Sequence, residues 1–298
     1  LISRPAPELS STRTMPRMRN GPRTEATNVR FSRTTGANSA LINVMTAAAE
    51  KAGRSLVRGF GEIEKLQVSK KGPADFVSEA DRRAEEIIYQ ELSKARPGYG
   101  FLMEERGVVE GVDTSNCWIV DPLDGTLNFL HGLPHFSISI ALERDSTIFA
   151  GVIYEPISDQ MFWAENGKGA YLNGRRVRVS ARHDIEESVF ATGMPFKGRD
   201  GHQPFLRQLE QVMAVSAGVR RFGSAALDLA YVAAGRYEGF WEQGLSPWDV
   251  AAGVIIVREA GGFVSDFKGR DPVIANGEII AGNASLHDTL RKLINKAA

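Results

Sequence analysis

Apolar residues recur at helical spacing where the patterned part of the chain begins. From Ser39 to Phe60 they return every three or four positions, which is the spacing of an amphipathic α-helix. A second helical pattern starts near Ser78 with an opening similar to a capping box, and it ends before Pro97 and Gly98. Both segments are therefore predicted to be helices with one buried face.

The middle of the chain alternates short apolar runs with turn residues, a pattern that is typical of β-strands. Asn173 and Gly174 form a dipeptide that favours a hairpin turn just before the last of these runs. The runs predicted to be strands are residues 118–120, 136–143, 148–154, 161–164 and 177–180.

After about Asp184 the pattern changes to helices that alternate with short strands. A sheet-rich half, residues 37–184, is thus followed by an α/β half, residues 185–298, and this order indicates stacked layers of sheets and helices. Helices are predicted at 204–216, 224–234, 247–260 and 285–296, and strands at 238–242, 263–267 and 279–282.

Residues 1–36 have no apolar period. They contain seven arginines, two glutamates and no lysine, among many Ser, Thr and Pro residues. Such a segment is expected to be disordered, because it has too little apolar surface to bury. Its composition is similar to that of an organellar transit peptide, but we favour the interpretation that it is an unstructured upstream extension.

The overall composition narrows the class of protein. Of 298 residues, 43% are hydrophobic and 24% are charged, as in ordinary globular proteins. The 36 basic residues balance the 36 acidic ones, which argues against a membrane-surface or general nucleic-acid binder. Cys117 is the single cysteine, and no apolar run approaches the roughly 18 residues of a membrane span. We expect a cytoplasmic protein of enzyme size, without membrane contact or direct nucleic-acid binding.

The most informative stretch for chemistry follows a predicted strand. Asp121 ends this strand, Pro122 forces a turn, and Asp124 follows just before Gly125. Two aspartates at this spacing can point at one spot, where a divalent cation would relieve their repulsion. Oxygen ligands alone suit Mg²⁺ or Mn²⁺. The alternative is an Asx-type turn, in which both side chains only accept hydrogen bonds from nearby amides.

Acidic residues in three further segments have a similar ambiguity. Glu104 and Glu105 follow an apolar pair, Asp81 lies near the start of the second predicted helix, and Asp249 opens a later helix. Each one alone is also explained as a solvated loop residue or as a charge at a helix start.

Together these stretches resemble the inositol monophosphatase family of magnesium-dependent, lithium-sensitive phosphomonoesterases. The two most specific segments are WIVDPLDGTLNF at 118–129 and WDVAAGVIIVREAGG at 248–262. Segments 72–81, 223–226 and 240–244 match in the expected order. The resemblance runs from about Leu41 to Leu293. It implies an α+β fold, a layered αβαβα sandwich of the sugar-phosphatase type with mixed sheets between helix layers.

The resemblance also implies roles for individual residues. Asp81 and Thr126, joined by a hydrogen bond, would orient and deprotonate the attacking water, and Asp121 would bridge two ions and so take part in catalysis. Lys70 matches a loop lysine near a third ion. The implied magnesium ligands are Glu104, Asp121, the Leu123 carbonyl, Asp124 and Asp249. The implied substrate contacts are Asp124, Gly125, Thr126, Gly223, Ser224, Ala225, Glu242 and Asp249.

The implied reaction is the hydrolysis of inositol monophosphate by metal-activated water, without a phosphoenzyme. Two or three Mg²⁺ ions would bind per site, Mn²⁺ could substitute, and Li⁺ and Ca²⁺ would inhibit. Family analogy also suggests a homodimer.

Two alternatives to this function stay open. One is a related phosphatase for histidinol phosphate, fructose-1,6-bisphosphate or a nucleotide bisphosphate, with Arg220 and Arg221 as the obvious basic pair. The other is a regulatory protein that contacts the transcription machinery.

Overall fold

The computed structural model describes residues 38–62, 73–196, 198–271 and 273–296. In the helix that begins at Pro73, side chains are described from Glu79 onward. The expectations for residues 1–36 and for Lys70 lie outside the described residues. From Asn38 onward the described residues belong to one compact unit.

Two helices form the first layer. Helix α1 (Ala40–Phe60) begins after Ser39, whose hydroxyl accepts a hydrogen bond from the amide of Ile42 over 3.2 Å. Helix α2 (Pro73–Ala95) packs against α1, and the apolar faces of both helices lie on the first sheet. The prediction of α1 is confirmed. The predicted start of α2 near Ser78 is wrong by about one and a half turns, because the chain is already helical at Pro73, and proline suits the first turn of a helix.

The second layer is a mixed sheet. Only β1 and β3 are parallel neighbours in it, and the other neighbouring pairs are antiparallel. Its order is β2-β1-β3-β4-β5-β6-β7-β8, and the short helix α3 (Thr126–Leu130) follows β3. The strands are β1 (Tyr99–Met103), β2 (Gly107–Val109), β3 (Asp113–Asp124), β4 (Ser137–Arg144), β5 (Thr147–Glu155), β6 (Gln160–Glu165), β7 (Gly169–Leu172) and β8 (Arg175–Val177).

The predicted strands in this half correspond to β3, β4, β5, β6 and β8. The hairpin turn at Asn173 and Gly174 is confirmed and joins β7 to β8, with both residues at positive φ. Strand β8 begins two residues earlier than predicted. Strands β1, β2 and β7 are not among the predicted runs, and β2 and β7 have only three and four residues, which carry little alternation.

Two buried helices form the middle layer. Helices α5 (Ala225–Ala233) and α6 (Pro247–Glu259) pack against each other, and α6 also contacts β4, β5 and β6. Both helices are apolar on nearly every side, as expected for helices that are covered by sheets on two faces. They form most of the largest core cluster.

A second sheet and two outer helices complete the layers. Helices α4 (His202–Met213) and α8 (His287–Lys296) pack together over the outer face of this sheet, and α7 (Val273–Asn276) is a single turn. The strands, in the order β10-β9-β11-β13-β12, are β9 (Val189–Thr192), β10 (Gly218–Arg220), β11 (Gly239–Gln243), β12 (Phe263–Ser265) and β13 (Glu278–Gly282). The structure thus confirms the layered αβαβα arrangement, while β9 and β10 were missed.

The predicted boundary at 184/185 falls in the connection between the two sheets, after β8 and before β9. The division into two halves stays a prediction. No helix in the described part of the chain is long and apolar enough to cross a membrane.

Candidate active site

The parallel pair β1 and β3 brings two of the acidic positions together. Met103 lies opposite Val120, so the residues that follow them, Glu104 and Asp121, leave the sheet at the same edge. The Glu104 amide donates a hydrogen bond to the Val120 carbonyl over 3.2 Å, which extends the strand pairing to Glu104. The charge of Glu104 raises the pKa of Asp121 and of Asp81, because the like charges are close.

Asp121 and Asp124 both accept local hydrogen bonds. Asp121 accepts one from the amide of Leu123 over 2.8 Å, so the Asx-type turn that the sequence left open is present. Asp124 accepts one from the Ser224 hydroxyl over 2.5 Å and another from the Ala226 amide over 2.8 Å. The Asp124 carboxylate is therefore tied to the N-terminus of α5, 100 residues further along the chain.

Asp249 lies in the first turn of α6. Its carboxylate accepts a hydrogen bond from the Ser246 amide over 2.7 Å, which completes a capping box, and Pro247 provides the first turn of the helix. Asp249 nevertheless belongs with Glu104, Asp121 and Asp124 to one cluster of carboxylates, the acidic group, because its charge raises the pKa of the other three. Asp249 therefore both stabilises the start of α6 and belongs to the acidic group.

Asp81 and Thr126 do not form the expected pair. The Thr126 hydroxyl donates to the Leu123 carbonyl over 3.0 Å, because this carbonyl lies three residues back at the start of α3. Asp81 is 3% exposed, and its Oδ1 has no hydrogen-bond partner among the described residues. Burial, and then the charges of Glu104, Glu105 and Glu85, raise the pKa of Asp81 to about 8.

All four carboxylates of the acidic group have raised pKa values. Burial first, and neighbouring negative charges second, raise the pKa of Asp121 well above its usual range and that of Asp124 to about 7. Burial also raises the pKa of Glu104 and of Asp249. A concentration of positive charge at this edge of the sheet would stabilise the ionised forms of all four.

The donor set fits a hard cation such as Mg²⁺. All the side chains concerned offer oxygen, and two buried oxygens, Asp81 Oδ1 and Glu104 Oε2, lack a hydrogen-bond partner among the described residues. As the side chains lie, no three acidic, histidine or cysteine residues of the described ranges form a group tight enough to hold an ion. A bound ion would therefore have to draw these carboxylates inward or be completed by water.

The other predicted substrate contacts surround the acidic group. Gly125 adopts a φ of 97° before α3, and a Cβ atom there would lie 3.1 Å from the His135 carbonyl oxygen, so a residue without a side chain is required. Gly223 and Ser224 precede α5, and Ala225 is its first residue. All of these lie around Asp124, through its bond to Ser224 and its position just before Gly125.

Glu242, near the end of β11, lies at a cavity of about 260 Å³. Burial first, and then the charges of Asp124 and Asp249, raise the pKa of Glu242 to about 8. The cavity is thus next to the acidic group. Its remaining walls are Met194, Pro195, Phe196, Arg199, Asp200, Gln243, Gly244, Asn276 and Glu278.

Two residues near the site were missed by the sequence analysis. Glu85 is 3% exposed and accepts hydrogen bonds from the amides of Glu105 and Arg106, over 2.9 and 3.3 Å, so it holds the loop that begins at Glu104. The sequence feature that could have identified Glu85 is its position one helical turn after Asp81. Asp228 is 1% exposed, and its Oδ1 has no partner among the described residues. Its signal was a lone acidic residue inside the apolar pattern of α5.

Comparisons with known proteins agree with this arrangement. The chain is 61% identical over 260 residues to an inositol-1-monophosphatase of Mesorhizobium japonicum, covering 87% of this chain and 98% of that protein. It is 43% identical over 243 residues to the Nus factor SuhB of Escherichia coli strain K12, covering 82% and 91%. Among solved structures, the extragenic suppressor protein suhB from Bartonella henselae superposes with a TM-score of 0.82 at 58% identity, covering 87% and 100%. The family description "Inositol monophosphatase family" matches residues 37–298. The chain therefore belongs to the inositol monophosphatase family, a family of phosphatases.

Proposed function

We propose that this chain hydrolyses inositol monophosphate to inositol and phosphate in a magnesium-dependent reaction at the acidic group. The observation that carries the proposal is the gathering of Glu104, Asp121, Asp124 and Asp249, from two strands and a helix start, into one electrostatically unfavourable group. Relatives that are 53–61% identical and named inositol-1-monophosphatase support the choice of substrate.

The four carboxylates and the Leu123 carbonyl would hold the ions. When bound there, Mg²⁺ ions supply the positive charge that activates water and stabilises the attacking and leaving oxygens of the phosphate. Mn²⁺ is expected to substitute. Ca²⁺ is expected to inhibit, because its larger and looser oxygen shell does not impose the same geometry. Inhibition by Li⁺ is expected from the family.

Asp81 and Thr126 would prepare the attacking water. The buried Asp81 carboxylate has an oxygen without a partner, so it can accept a proton or orient a water molecule. If the Thr126 hydroxyl rotates away from the Leu123 carbonyl, that carbonyl becomes available to an ion. The same rotation would let Thr126 take part in orienting the water with Asp81.

The remaining contacts would receive the two parts of the substrate. The backbone amides of Gly125 and Thr126, where α3 begins, are donors for phosphate oxygens. Gly223, Ser224, Ala225 and Glu242 would face the sugar-alcohol leaving group, because Ser224 is bonded to Asp124 and the Asp124 charge acts on Glu242.

The test is phosphate release from inositol 1-phosphate during a Mg²⁺ titration of wild type, Asp124→Asn and Asp145→Asn. Asp145 is an exposed turn residue at positive φ, which asparagine also tolerates, and it lies at the far end of β4 from the acidic group. We expect wild type and Asp145→Asn to behave alike. Asp124→Asn should turn over at least about 10²-fold more slowly and need more Mg²⁺ for half-activation.

Two results would contradict the proposal. One is full turnover of the wild type in excess chelator, which would exclude a metal requirement. The other is an Asp124→Asn variant that is as active as Asp145→Asn. Running histidinol phosphate, fructose-1,6-bisphosphate and a nucleotide bisphosphate beside inositol 1-phosphate in the same assay decides among the neighbouring phosphatase activities.

A second candidate function is contact with the transcription machinery. It is favoured by relatives named Nus factor SuhB that are 43% identical to this chain. We expect purified chain to bind purified bacterial RNA polymerase in a biosensor assay, and Asp124→Asn to bind equally well if the role does not depend on catalysis. No binding at micromolar concentrations would contradict this second function.

We further propose, from family analogy, that the chain is a homodimer and that it acts in the cytoplasm. Sedimentation of the purified chain at two concentrations checks the first expectation, and fractionation of cells checks the second.

A further inference from the structure

Gly193 lies directly beside Glu242 because of the register of two parallel strands. Thr192 at the end of β9 is paired with Trp241 of β11, so the next residues, Gly193 and Glu242, are neighbours. The buried Thr192 hydroxyl donates to the carbonyls of both Gly193 and Trp241, over 3.0 and 2.8 Å. This hydroxyl ties the segment that contains Gly193 to the strand that carries Glu242.

A side chain at position 193 would occupy the space of the Glu242 carboxylate. A Cβ atom built on Gly193 overlaps the carboxylate carbon and both carboxylate oxygens of Glu242. Gly193 is not at positive φ, so the requirement is for space and not for a special backbone conformation. Among the described glycines, it is the one whose Cβ atom would meet a carboxylate.

We infer that Gly193 is a specificity-determining residue, which by its missing side chain fixes the Glu242 carboxylate at the mouth of the 260 Å³ cavity to receive the hydroxyl groups of a polyol leaving group. The inference rests on the proposed function. Gly193 itself would touch no reacting atom, and it would act through the position of Glu242.

The surroundings of Glu242 favour a leaving group that is rich in hydroxyls. The carboxylate is half-buried and accepts no hydrogen bond from another described residue, so its oxygens are free to pair with a ligand. Arg199, at the side of the cavity, donates to the Gly244 carbonyl and stacks on the Phe196 ring at 4.6 Å. The cavity thus offers a hydroxyl group the free acceptor oxygens of Glu242, while the charges of Arg221 and Arg199 favour the ionised form of that side chain.

The experiment compares two esters in wild type and Gly193→Ala at saturating Mg²⁺. Inositol 1-phosphate has ring hydroxyls that can reach Glu242, whereas para-nitrophenyl phosphate has none. The measured quantity is the ratio of kcat/KM for the first ester to kcat/KM for the second. We expect Gly193→Ala to lower this ratio by roughly 10- to 100-fold, the range for losing a hydrogen bond to a charged group.

A double-mutant cycle with Glu242→Ala shows whether Gly193 acts through Glu242. Glu242→Ala removes the atoms that the new side chain would meet, so adding Gly193→Ala to it should leave the ratio where Glu242→Ala alone puts it. The melting temperature should follow the same pattern, lowered in Gly193→Ala and recovered in the double variant. If Gly193→Ala alone does not fold, the melting temperature decides: a folded double variant supports the inference, and a double variant that also fails to fold overturns it.

The possible failures are distinguishable. A wild type that hydrolyses neither ester contradicts the proposed function, and this inference with it. A wild type that hydrolyses both esters, with a ratio that Gly193→Ala leaves unchanged, contradicts the inference alone. Losses from Gly193→Ala and Glu242→Ala that multiply in the double variant would also overturn it, since the two residues would then act independently.

Discussion

The buried position of the Asp81 side chain destabilises the folded state. It is 3% exposed, it is near Glu104 and Glu105, and its Oδ1 has no partner among the described residues. A buried carboxylate without a partner destabilises the folded state. Such an arrangement is typical of a functional group, whose environment adjusts its affinity for protons to the reaction.

We therefore predict that Asp81→Asn lowers the catalytic rate by roughly 10²–10⁴-fold, the range for a positioned general base. Substrate KM should change far less, because asparagine keeps the size of the side chain. Steady-state kinetics with inositol 1-phosphate gives both constants, and calorimetric titration with Mg²⁺ shows whether the first ion still binds. If Asp81→Asn loses that ion as completely as Asp121→Asn does, Asp81 is a metal ligand and not the residue that activates water.

At this scale the sequence predicts residues that belong to a motif. Asp121 and Asp124 could be singled out because an aspartate pair after a strand suggests a chemical purpose. Gly193 and Glu85 could not, because their importance comes from strand register and from a loop that a distant helix residue holds. The Thr126 bond to Leu123 was also not predictable, because the sequence motif does not fix the rotamer that points the hydroxyl at this carbonyl.

At the scale of elements, the N-terminus of α5 connects helix stability to the acidic group. Ser224 is the N-cap of α5, where its hydroxyl accepts a bond from the Leu227 amide over 3.4 Å, and the same hydroxyl donates to Asp124. Ser39 is likewise the N-cap of α1, but its hydroxyl donates to Glu165 at the end of β6 and not to Asp124. The two serines thus form a matched pair.

We predict that Ser224→Ala and Ser39→Ala both lower the free energy of unfolding, by about 0.5–2 kcal/mol each, because each removes an N-cap. Only Ser224→Ala should also raise the Mg²⁺ concentration for half-activation, because Asp124 loses a hydrogen bond that orients it. Chemical denaturation gives the first quantity, and activity against Mg²⁺ concentration gives the second. An equal Mg²⁺ requirement in both variants would show that Ser224 serves only the helix.

The elements that the sequence predicted well are long and periodic. Helix α1 and strands β4 and β5 have enough residues for the spacing of apolar positions to identify both the element and its limits. Strands β9 and β10 have four and three residues, and they become strands because a neighbouring strand in the sheet is available for pairing. Tertiary pairing, which no local pattern reports, decides such short segments.

For the whole molecule, the layered arrangement places like charges together. Strands β1 and β3 end at one edge of the first sheet. Helix α6, in the layer that packs on this sheet, begins at the same edge. The hydrophobic cores above and below therefore stabilise the fold while the acidic group opposes it. In the absence of cations the stability of the molecule should depend on how many of these carboxylates are protonated.

That dependence has a definite sign. The pKa of Asp124 is raised to about 7 and that of Asp81 to about 8, in both cases mainly by burial, whereas aspartates in an unfolded chain titrate near about 4. Between about pH 5 and pH 8 the folded, metal-free protein thus binds more protons than the unfolded chain, so the free energy of unfolding falls as the pH rises.

Mg²⁺ favours the ionised carboxylates and binds the folded state, so it should raise the melting temperature more at about pH 8 than at about pH 5.5. Thermal denaturation at both pH values, with chelator and with Mg²⁺, measures the difference, which Asp145→Asn should retain and Asp121→Asn should reduce. A metal-free melting temperature that rises between these two pH values would mean that the acidic group does not control the stability of the molecule.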